Sequence, residues 1–196
     1  MTGRRRLSQA ISEGDGISIV ALVTDAEAAR AAQDQGAEGL AVLARAEGLR
    51  DATHLPILFR LDASPEAARD AGADACLVLV EEHDDEEHLE ELQERALALG
   101  LEIVVDVHDE ESLAHSLERI DPEIFLLSPR EAEDDETHLE RVLDLLPDVP
   151  AGKLAIADLH SVTRDEVIAL ERAGVDAVLV GSANVAHLVG GAPPEV

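Results

Sequence analysis

Short apolar runs alternate with strongly charged amphipathic segments along almost the whole chain. The apolar runs are rich in Val, Ile and Leu, which is typical of strands whose two faces are both buried. Eight runs fit this description: Ile17–Val23, Gly39–Ala44, Pro56–Leu61, Ala75–Val80, Glu102–Val107, Ile124–Ser128, Leu154–Asp158 and Ala177–Val180. The pattern therefore predicts eight buried strands separated by surface helices.

The charged segments between these strands have the spacing of helices with one apolar face. The helix candidates are Ala26–Gln35, Pro65–Ala71, Glu86–Leu99, Glu110–Ile120, Thr137–Leu146 and Arg164–Ala173. Ser64 and Thr163 have side chains that cap helix N-termini, and Gly174 follows a helix as a left-handed glycine commonly does. The gap over residues 46–54 and the proline-containing end at 192–194 leave little room, so we expect reduced second and eighth helices.

A repeated motif supports a regular βα architecture. The sequence AGADA at residues 71–75 is echoed by AGVDA at 173–177, and GAE at 36–38 occupies the same place before the second strand. Eight parallel strands with right-handed helical crossovers close into a (βα)₈ TIM barrel, with an open doubly wound sheet as the alternative. We predict an N-terminal extension over residues 1–16 and a single, shortened barrel domain over 17–196.

The charge of the chain is strongly negative. It has 43 Asp and Glu against 15 Lys and Arg, giving a formal net charge of −28, and Lys153 is the only lysine. Self-repulsion of this size destabilises a compact protein at ordinary ionic strength and is largely screened at molar salt. We therefore expect a halophilic protein; a GC-rich genome is the alternative explanation for the scarcity of lysine.

Composition also argues against several partners and compartments. A strongly negative chain without Trp or Tyr repels phosphate backbones and offers little for bases to stack on, so nucleic acid is not expected as a partner. The chain has neither a signal-peptide pattern nor an apolar run long enough for a membrane. Cys76 is the only cysteine and is expected to be a buried, inert thiol. We predict a cytoplasmic protein.

Charged side chains gather where the predicted strands end, which is where barrel enzymes place their active sites. Arg60, Asp106 and Asp158 each lie two residues beyond a buried aliphatic position, so they should share the inner face of the rim. Carboxylates in such a place suit acid–base catalysis, and a guanidinium suits an anionic substrate. We interpret these three as catalytic residues; for each aspartate, capping of the following helix is the alternative.

A second group at the same rim has the features of a phosphate site. Its members are Ser128, Arg130, His160, Gly181 and Ser182. A glycine at position 181 lets an anion approach the backbone, and the turn that follows exposes N–H groups. We predict that this group binds a phosphorylated small molecule; an ordinary strand-to-helix cap is the alternative for Gly181-Ser182. No metal site is predicted, because His83 and His88 lack ligand spacing.

Two long motifs resemble a known family of barrel enzymes. The sequence LGLEIVVDVHDEE at residues 99–111 resembles the fifth-strand motif of indole-3-glycerol phosphate synthase, usually L-G-x-E-x-L-V-E-V-H-x-E-E. Residues 163–182 resemble that family's seventh helix and eighth strand, and shorter matches occur at 55–58 and 71–75. The resemblance implies a carbon–carbon lyase of tryptophan biosynthesis that acts on a phosphorylated substrate, and we expect no cofactor.

The chain departs from the family pattern at its chemical positions. Arg60 stands at the general-acid lysine, and Asp106 stands at the fifth-strand glutamate. The family's N-x-R corresponds to Ser128-Pro129-Arg130 and its E-S-G to Asp158-Leu159-His160, while Gly181-Ser182 are retained. Arginine stays protonated and is a poor proton donor. Aspartate is one methylene shorter than glutamate, and a displacement of a catalytic group by about 1 Å can lower the rate about 100-fold. We therefore expect a divergent, truncated member of the family.

Three functions are compatible with these residues. The first is an indole-3-glycerol phosphate synthase-like lyase with substituted catalytic residues. The second is a catalytically inactive barrel that binds a phosphorylated ligand or another protein. The third is a different reaction at the same rim, such as sugar-phosphate isomerisation, with Asp106 and Asp158 as opposed carboxylates. The shortened helices and the missing N-terminal segment of the family should leave apolar barrel surface uncovered, so a homodimer is also expected.

Overall fold

The structure, a computed structural model, describes residues 6–14, 16–60, 64–79, 86–128, 137–159 and 162–189. Eight parallel strands form a closed barrel in chain order. They are Ser18–Leu22 (β1), Gly39–Val42 (β2), Ile57–Phe59 (β3), Ala75–Leu79 (β4), Glu102–Val107 (β5), Ile124–Leu127 (β6), Leu154–Asp158 (β7) and Ala177–Gly181 (β8). Strand β8 closes the ring by pairing with all of β1. The predicted (βα)₈ barrel is confirmed.

The described helices follow the predicted order. They are Leu7–Ser12 (α1), Ala26–Asp34 (α2), Leu49–Ala52 (α3), Pro65–Asp70 (α4), Glu86–Ala98 (α5), Glu110–Arg119 (α6), His138–Leu145 (α7), Arg164–Ala173 (α8) and Val185–Val189 (α9). The helix after β2, α3, is a single turn. A 3₁₀ turn at Ser182–Asn184 leads from β8 into the short α9. The helices after the second and eighth strands are thus the reduced ones that the sequence predicts.

Local sequence explains where helices begin and end. Thr163 begins α8: its hydroxyl accepts from the Glu166 amide at 3.3 Å, and the Glu166 carboxylate accepts from the Thr163 amide at 2.6 Å. Ser64 caps α4, with Pro65 in the first turn. Gly174 ends α8 with φ +101°, a conformation that favours glycine. The starts of α4 and α8 and the end of α8 therefore lie where the sequence predicts them.

Alternation along the strands divides the interior into two layers. The lumen of the barrel is filled by Val20, Ala41, Leu58, Ala75, Leu77, Val104, Ile124, Leu126, Ile156, Ala177 and Leu179. The alternate residues, among them the fully buried Phe125, pack outside the barrel against the helices. Since residues two apart share a face, the polar residues that follow Leu58, Val104 and Ile156 by two must enter the mouth of the barrel.

Helix α1 covers the opposite, N-terminal end of the barrel. Leu7 and Ile11 are buried among the lumen residues. Glu102, at the start of β5, accepts hydrogen bonds from the Leu7 amide at 2.6 Å and from the Ser8 hydroxyl. The buried face of α1, formed by Leu7, Ser8, Ala10 and Ile11, therefore belongs to the packed core, where the sequence pattern predicted only an extension.

Cys76 is buried in β4, as expected. His83 lies outside the described residues. Within the described ranges, no helix combines the length and the apolar character that crossing a membrane requires.

Candidate active site

Arg60 and Asp158 meet across the mouth of the barrel. Arg60 directly follows β3 and Asp158 ends β7, and these two strands lie opposite each other in a ring of eight. The Arg60 guanidinium donates a hydrogen bond to Asp158 Oδ2 and forms an ion pair with it. The side chains are 21% and 8% exposed, so the pair is largely shielded from water. The two charges close the top of the apolar lumen.

Asp106 belongs to a second polar cluster, on the neighbouring strands β5 and β6. The Ser128 hydroxyl donates to Asp106 Oδ1. His108 Nδ1 lies 2.8 Å from the Ser128 carbonyl oxygen and 4.0 Å from Asp106 Oδ1. Because a carbonyl oxygen can only accept, His108 Nδ1 carries the hydrogen in this contact. The cluster thus fixes the orientation of both the carboxyl group and the imidazole.

The electrostatic setting of Asp106 is unusual for an aspartate. Burial raises its pKa above the ordinary value, although the Ser128 hydrogen bond and the charges of His108 and Arg60 act in the opposite direction. The negative charge of Asp158 raises the pKa further. A carboxyl group with a raised pKa is better suited to exchanging protons near neutral pH than a solvated one.

Only some of the residues predicted to bind phosphate lie in the part of the chain that the structure describes. Arg130 and His160 lie outside the described residues, and Ser128 is engaged with Asp106. Gly181 ends β8, and a Cβ added there would meet nothing nearer than Asn184 Nδ2 at 3.9 Å. That side of the Gly181 backbone is therefore open to a ligand. The binding roles of Gly181 and Ser182 stay predictions.

The structure adds two facts to the sequence-based site. His108 received no role from the sequence, although its position two residues after Asp106 placed it on the same strand face. The described part of the mouth also does not present Arg60 as a free cation, because Asp158 compensates its charge. An anionic substrate would therefore meet a guanidinium that is already paired with a carboxylate.

Clefts outside the lumen include two of about 500–600 Å³ among the described residues. One, of about 510 Å³, adjoins the mouth and is lined by His108, Asp109, Glu110, Glu111, Arg141 and Asp144, with Leu145. The other, of about 570 Å³, lies at the opposite end of the barrel, where β7 and β8 begin. Among the described residues, no cluster of three or more His, Cys, Asp or Glu side chains could hold a metal ion.

Comparison with known proteins places this barrel in a family. A family model described as indole-3-glycerol phosphate synthase matches residues 61–187, a range that includes β4 to β8 and therefore Asp106 and Asp158. The chain belongs to the indole-3-glycerol phosphate synthase family. The sequence resemblance at residues 99–111 and 163–182 is thereby confirmed.

Curated relatives support the same family. The indole-3-glycerol phosphate synthase of Variovorax paradoxus is 32% identical over 184 residues, which are 90% of this chain and 65% of that protein. The enzyme of the same name from Acidithiobacillus ferrooxidans is 36% identical over 138 residues, 68% of this chain and 52% of that protein. The chain thus spans between half and two thirds of the length of these synthases.

Solved structures agree on the fold. N-acetylmannosamine-6-phosphate 2-epimerase from Clostridium perfringens superposes with a TM-score of 0.70 at 12% identity, covering 93% of this chain and 92% of that chain. Thiamine phosphate pyrophosphorylase from Pyrococcus furiosus gives a TM-score of 0.62 at 17% identity, covering 88% and 90%. At these identities the likeness concerns the barrel architecture alone.

Proposed function

We propose that this member of the indole-3-glycerol phosphate synthase family binds a phosphorylated small molecule at the mouth of its barrel and has lost efficient ring-closing lyase activity. The observation that carries the proposal is the Arg60–Asp158 ion pair. It occupies the two positions where the family resemblance implies a general-acid lysine and a glutamate.

The chemistry of the pair explains the loss. A guanidinium stays protonated throughout the physiological pH range, and a neighbouring carboxylate favours the charged form still more. Arg60 can therefore hold an anion but cannot donate a proton as a lysine with a lowered pKa can. An incoming carboxylate or phosphate would compete with Asp158 for the guanidinium, so the site keeps a means of binding but has no proton donor at position 60.

The phosphate seat in this proposal is the end of β8. Gly181 offers an open backbone face, and the 3₁₀ turn at Ser182–Asn184 follows directly. Arg130 and His160 are proposed to complete the seat from the preceding strand ends. Ser128 is proposed to contact the ligand while it holds Asp106.

Binding and turnover can be measured separately with the family's substrate, a carboxyphenylamino deoxyribulose phosphate, in 2 M KCl. We expect saturable binding by calorimetry and no indole fluorescence above the uncatalysed background. Arg60→Lys should keep the binding and introduce measurable turnover, because an ammonium group can give up its proton to a substrate whereas a guanidinium stays protonated. Arg95→Lys makes the same change in an exposed ion pair with Glu66 and should alter neither quantity. Absence of binding in the native protein would overturn the proposal.

A weak lyase is the second candidate, and Asp106 is the observation that favours it. Its burial, its hydrogen bond from Ser128 and its raised pKa are properties of an acid–base catalyst. Slow but saturable indole formation by the native protein, abolished in Asp106→Asn, would select this candidate over the binding protein. In that case a role in tryptophan biosynthesis would follow.

Two further proposals concern the location and the assembly of the protein. We propose a cytoplasmic location and a homodimer. Light scattering over a hundredfold range of protein concentration tests the assembly, and a monomer throughout that range would count against it.

A further inference from the structure

Two copies of one motif in this barrel differ in what fills the space beside them. In the first copy, residues 71–75, the Arg50 side chain lies over Gly72, whose added Cβ would meet Arg50 Cβ at 3.2 Å and Cγ at 3.6 Å. Arg50 Nη1 binds Asp74 Oδ2 at 2.6 Å. Arg50 Nη2 donates to the carbonyls of Thr53 at 2.8 Å and Leu55 at 2.7 Å. A guanidinium with an aliphatic stem thus completes the first copy.

The second copy, residues 173–177, has the same backbone contacts. Asp74 Oδ2 accepts from the amide of Ile57, the first residue of β3, at 3.0 Å. Asp176 Oδ2 accepts in the same way from the Ala155 amide of β7, at 2.8 Å. Asp176 is therefore placed and oriented as Asp74 is.

The space that Arg50 fills in the first copy is open in the second. A Cβ added at Gly174 would meet no atom within 4 Å. Gly174 and Asp176 instead line the cleft of about 570 Å³. Among the described residues no arginine or lysine pairs with Asp176, and the one cation that lines the cleft, Lys153, has its ammonium 2.5 Å from Asp121 Oδ1.

A glycine followed two residues later by an acid also precedes β2 and β5, and there α9 or α1 covers the glycine or binds the acid. An added Cβ at Gly36 would meet Val189 Cγ1 at 2.8 Å, so α9 covers that glycine. Gly100 is open, but Glu102, the acid that follows it, binds the Leu7 amide and the Ser8 hydroxyl of α1. Among these glycine–acid pairs of the described structure, only Gly174 and Asp176 combine free space beside the glycine with a partly buried acid that contacts neither a cation nor a helix.

We propose that the cleft between α7 and α8 binds a guanidinium group carried on an aliphatic stem, with Asp176 as its ion-pair partner. The walls suit such a stem, since Leu143, Leu146, Pro147 and Val149 line the cleft. The carbonyls of Ala151 and Lys153 stand four and two residues before Ala155, as those of Thr53 and Leu55 stand before Ile57. Ala151 and Lys153 both line the cleft, so their carbonyl oxygens are the acceptors that we propose for the guanidinium hydrogens. Burial raises the pKa of Asp176, a sign of incomplete hydration that a bound cation would offset.

The test is a titration of the ¹⁵N-labelled full chain with n-butylguanidinium at a KCl concentration that keeps it folded. We expect saturable shifts at the amides of Gly152 and Gly174, which both line the cleft. n-Butylammonium should bind more weakly, because it lacks the planar fork. Nα-acetyl-arginine amide distinguishes the sources: equal affinity indicates an arginine side chain of another protein, and much weaker affinity indicates a free small molecule.

Two variants and a control decide the role of the cleft. Asp176→Asn keeps an oxygen for the Ala155 amide and should weaken binding at least about tenfold. Ala151→Phe, at an exposed cleft position, should also weaken binding without changing the charge. Glu94→Gln removes the same charge from the exposed face of α5 and should leave affinity unchanged. Non-saturating shifts, or equal losses in Asp176→Asn and Glu94→Gln, would overturn the proposal, since either result means binding to the general negative field.

Discussion

The Arg60–Asp158 ion pair holds two opposite charges in a poorly hydrated position at the centre of the barrel mouth. Neither charge would be stable there alone, because transfer of an ion out of water is costly unless a partner compensates it. The pair is therefore better regarded as a unit, in which each residue fixes the protonation state and the position of the other. This mutual dependence can be measured as a difference between single and double variants.

Arg60→Met should lower the free energy of unfolding by about 2 kcal/mol. Loss of one partner of a buried pair costs about 3–5 kcal/mol, and the partial exposure of Arg60 reduces that figure. Arg60→Met combined with Asp158→Leu should recover most of the loss, because no unpaired charge remains. Urea denaturation of the two variants measures this. Arg95→Met, at an exposed pair, should show no measurable change; a double variant less stable than Arg60→Met would refute the coupling.

Asp106 should make stability fall as pH rises. Its pKa in the folded state lies above the unfolded value of 3.8, so between the two the folded state binds more protons than the unfolded state. This contribution is complete below the unfolded pKa and is lost as the pH rises through the folded pKa. Asp106→Asn should therefore be more stable than the native protein at pH 7 and should lose this advantage at pH 3.5, as urea denaturation at the two pH values measures. A constant difference across that range would contradict the assignment.

The alternation of side chains along each strand was enough to predict which residues enter the site, but not how they contact one another. Alternation placed Arg60, Asp106 and Asp158 on the inner face of the rim, and the structure brings them there. It could not predict that Arg60 crosses the mouth to Asp158, because that contact depends on the width of the lumen and on the length of one side chain. The contact of His108 with Ser128 likewise joins two strands, and nothing in either segment alone reveals it.

Helix α1 is the element whose importance the sequence conceals. Its apolar residues Leu7, Ala10 and Ile11 cover less than two turns and are followed by Gly14 and Gly16, so no periodic signal develops. The longer elements were predicted to within a few residues because each has a full amphipathic period, and most have a cap or a terminal glycine. A short helix that is held by tertiary contacts, here with Glu102 and the lumen, gives no comparable signal.

Leu7→Ala should lower the free energy of unfolding by about 3 kcal/mol if α1 closes the barrel. The Leu7 side chain is fully buried in the lumen layer, and removal of a buried leucine leaves a cavity as well as a lost transfer energy. Leu97→Ala removes the same atoms from a side chain that is 63% exposed and should cost less than about 0.5 kcal/mol. Urea denaturation compares the two; equal effects would mean that α1 is not part of the cooperative core.

At the scale of the molecule, stability should depend on salt more than on any single contact. The net charge of the chain is −28, and among the described residues the helices α5 and α6 carry exposed acids that include Glu90, Glu91, Glu94 and Glu118. Repulsion among them acts over about 10 Å at 0.1 M salt and over about 3 Å at 1 M. If the protein is halophilic, as its composition predicts, its stability should therefore increase with salt concentration as this repulsion is screened.

We expect the melting temperature to rise by at least about 10 °C between 0.1 and 2 M KCl, which for a domain of this size corresponds to about 3–5 kcal/mol. Most of the rise should occur below about 1 M, where the screening length changes most, whereas sucrose should act in proportion to its concentration. The triple variant Glu90→Gln, Glu94→Gln, Glu118→Gln should be more stable at 0.1 M and less responsive to KCl, because it has three charges fewer to screen. Scanning calorimetry at several salt concentrations measures both quantities. A native melting temperature that does not change with KCl would show that the acidic surface reflects genome composition and not adaptation to salt.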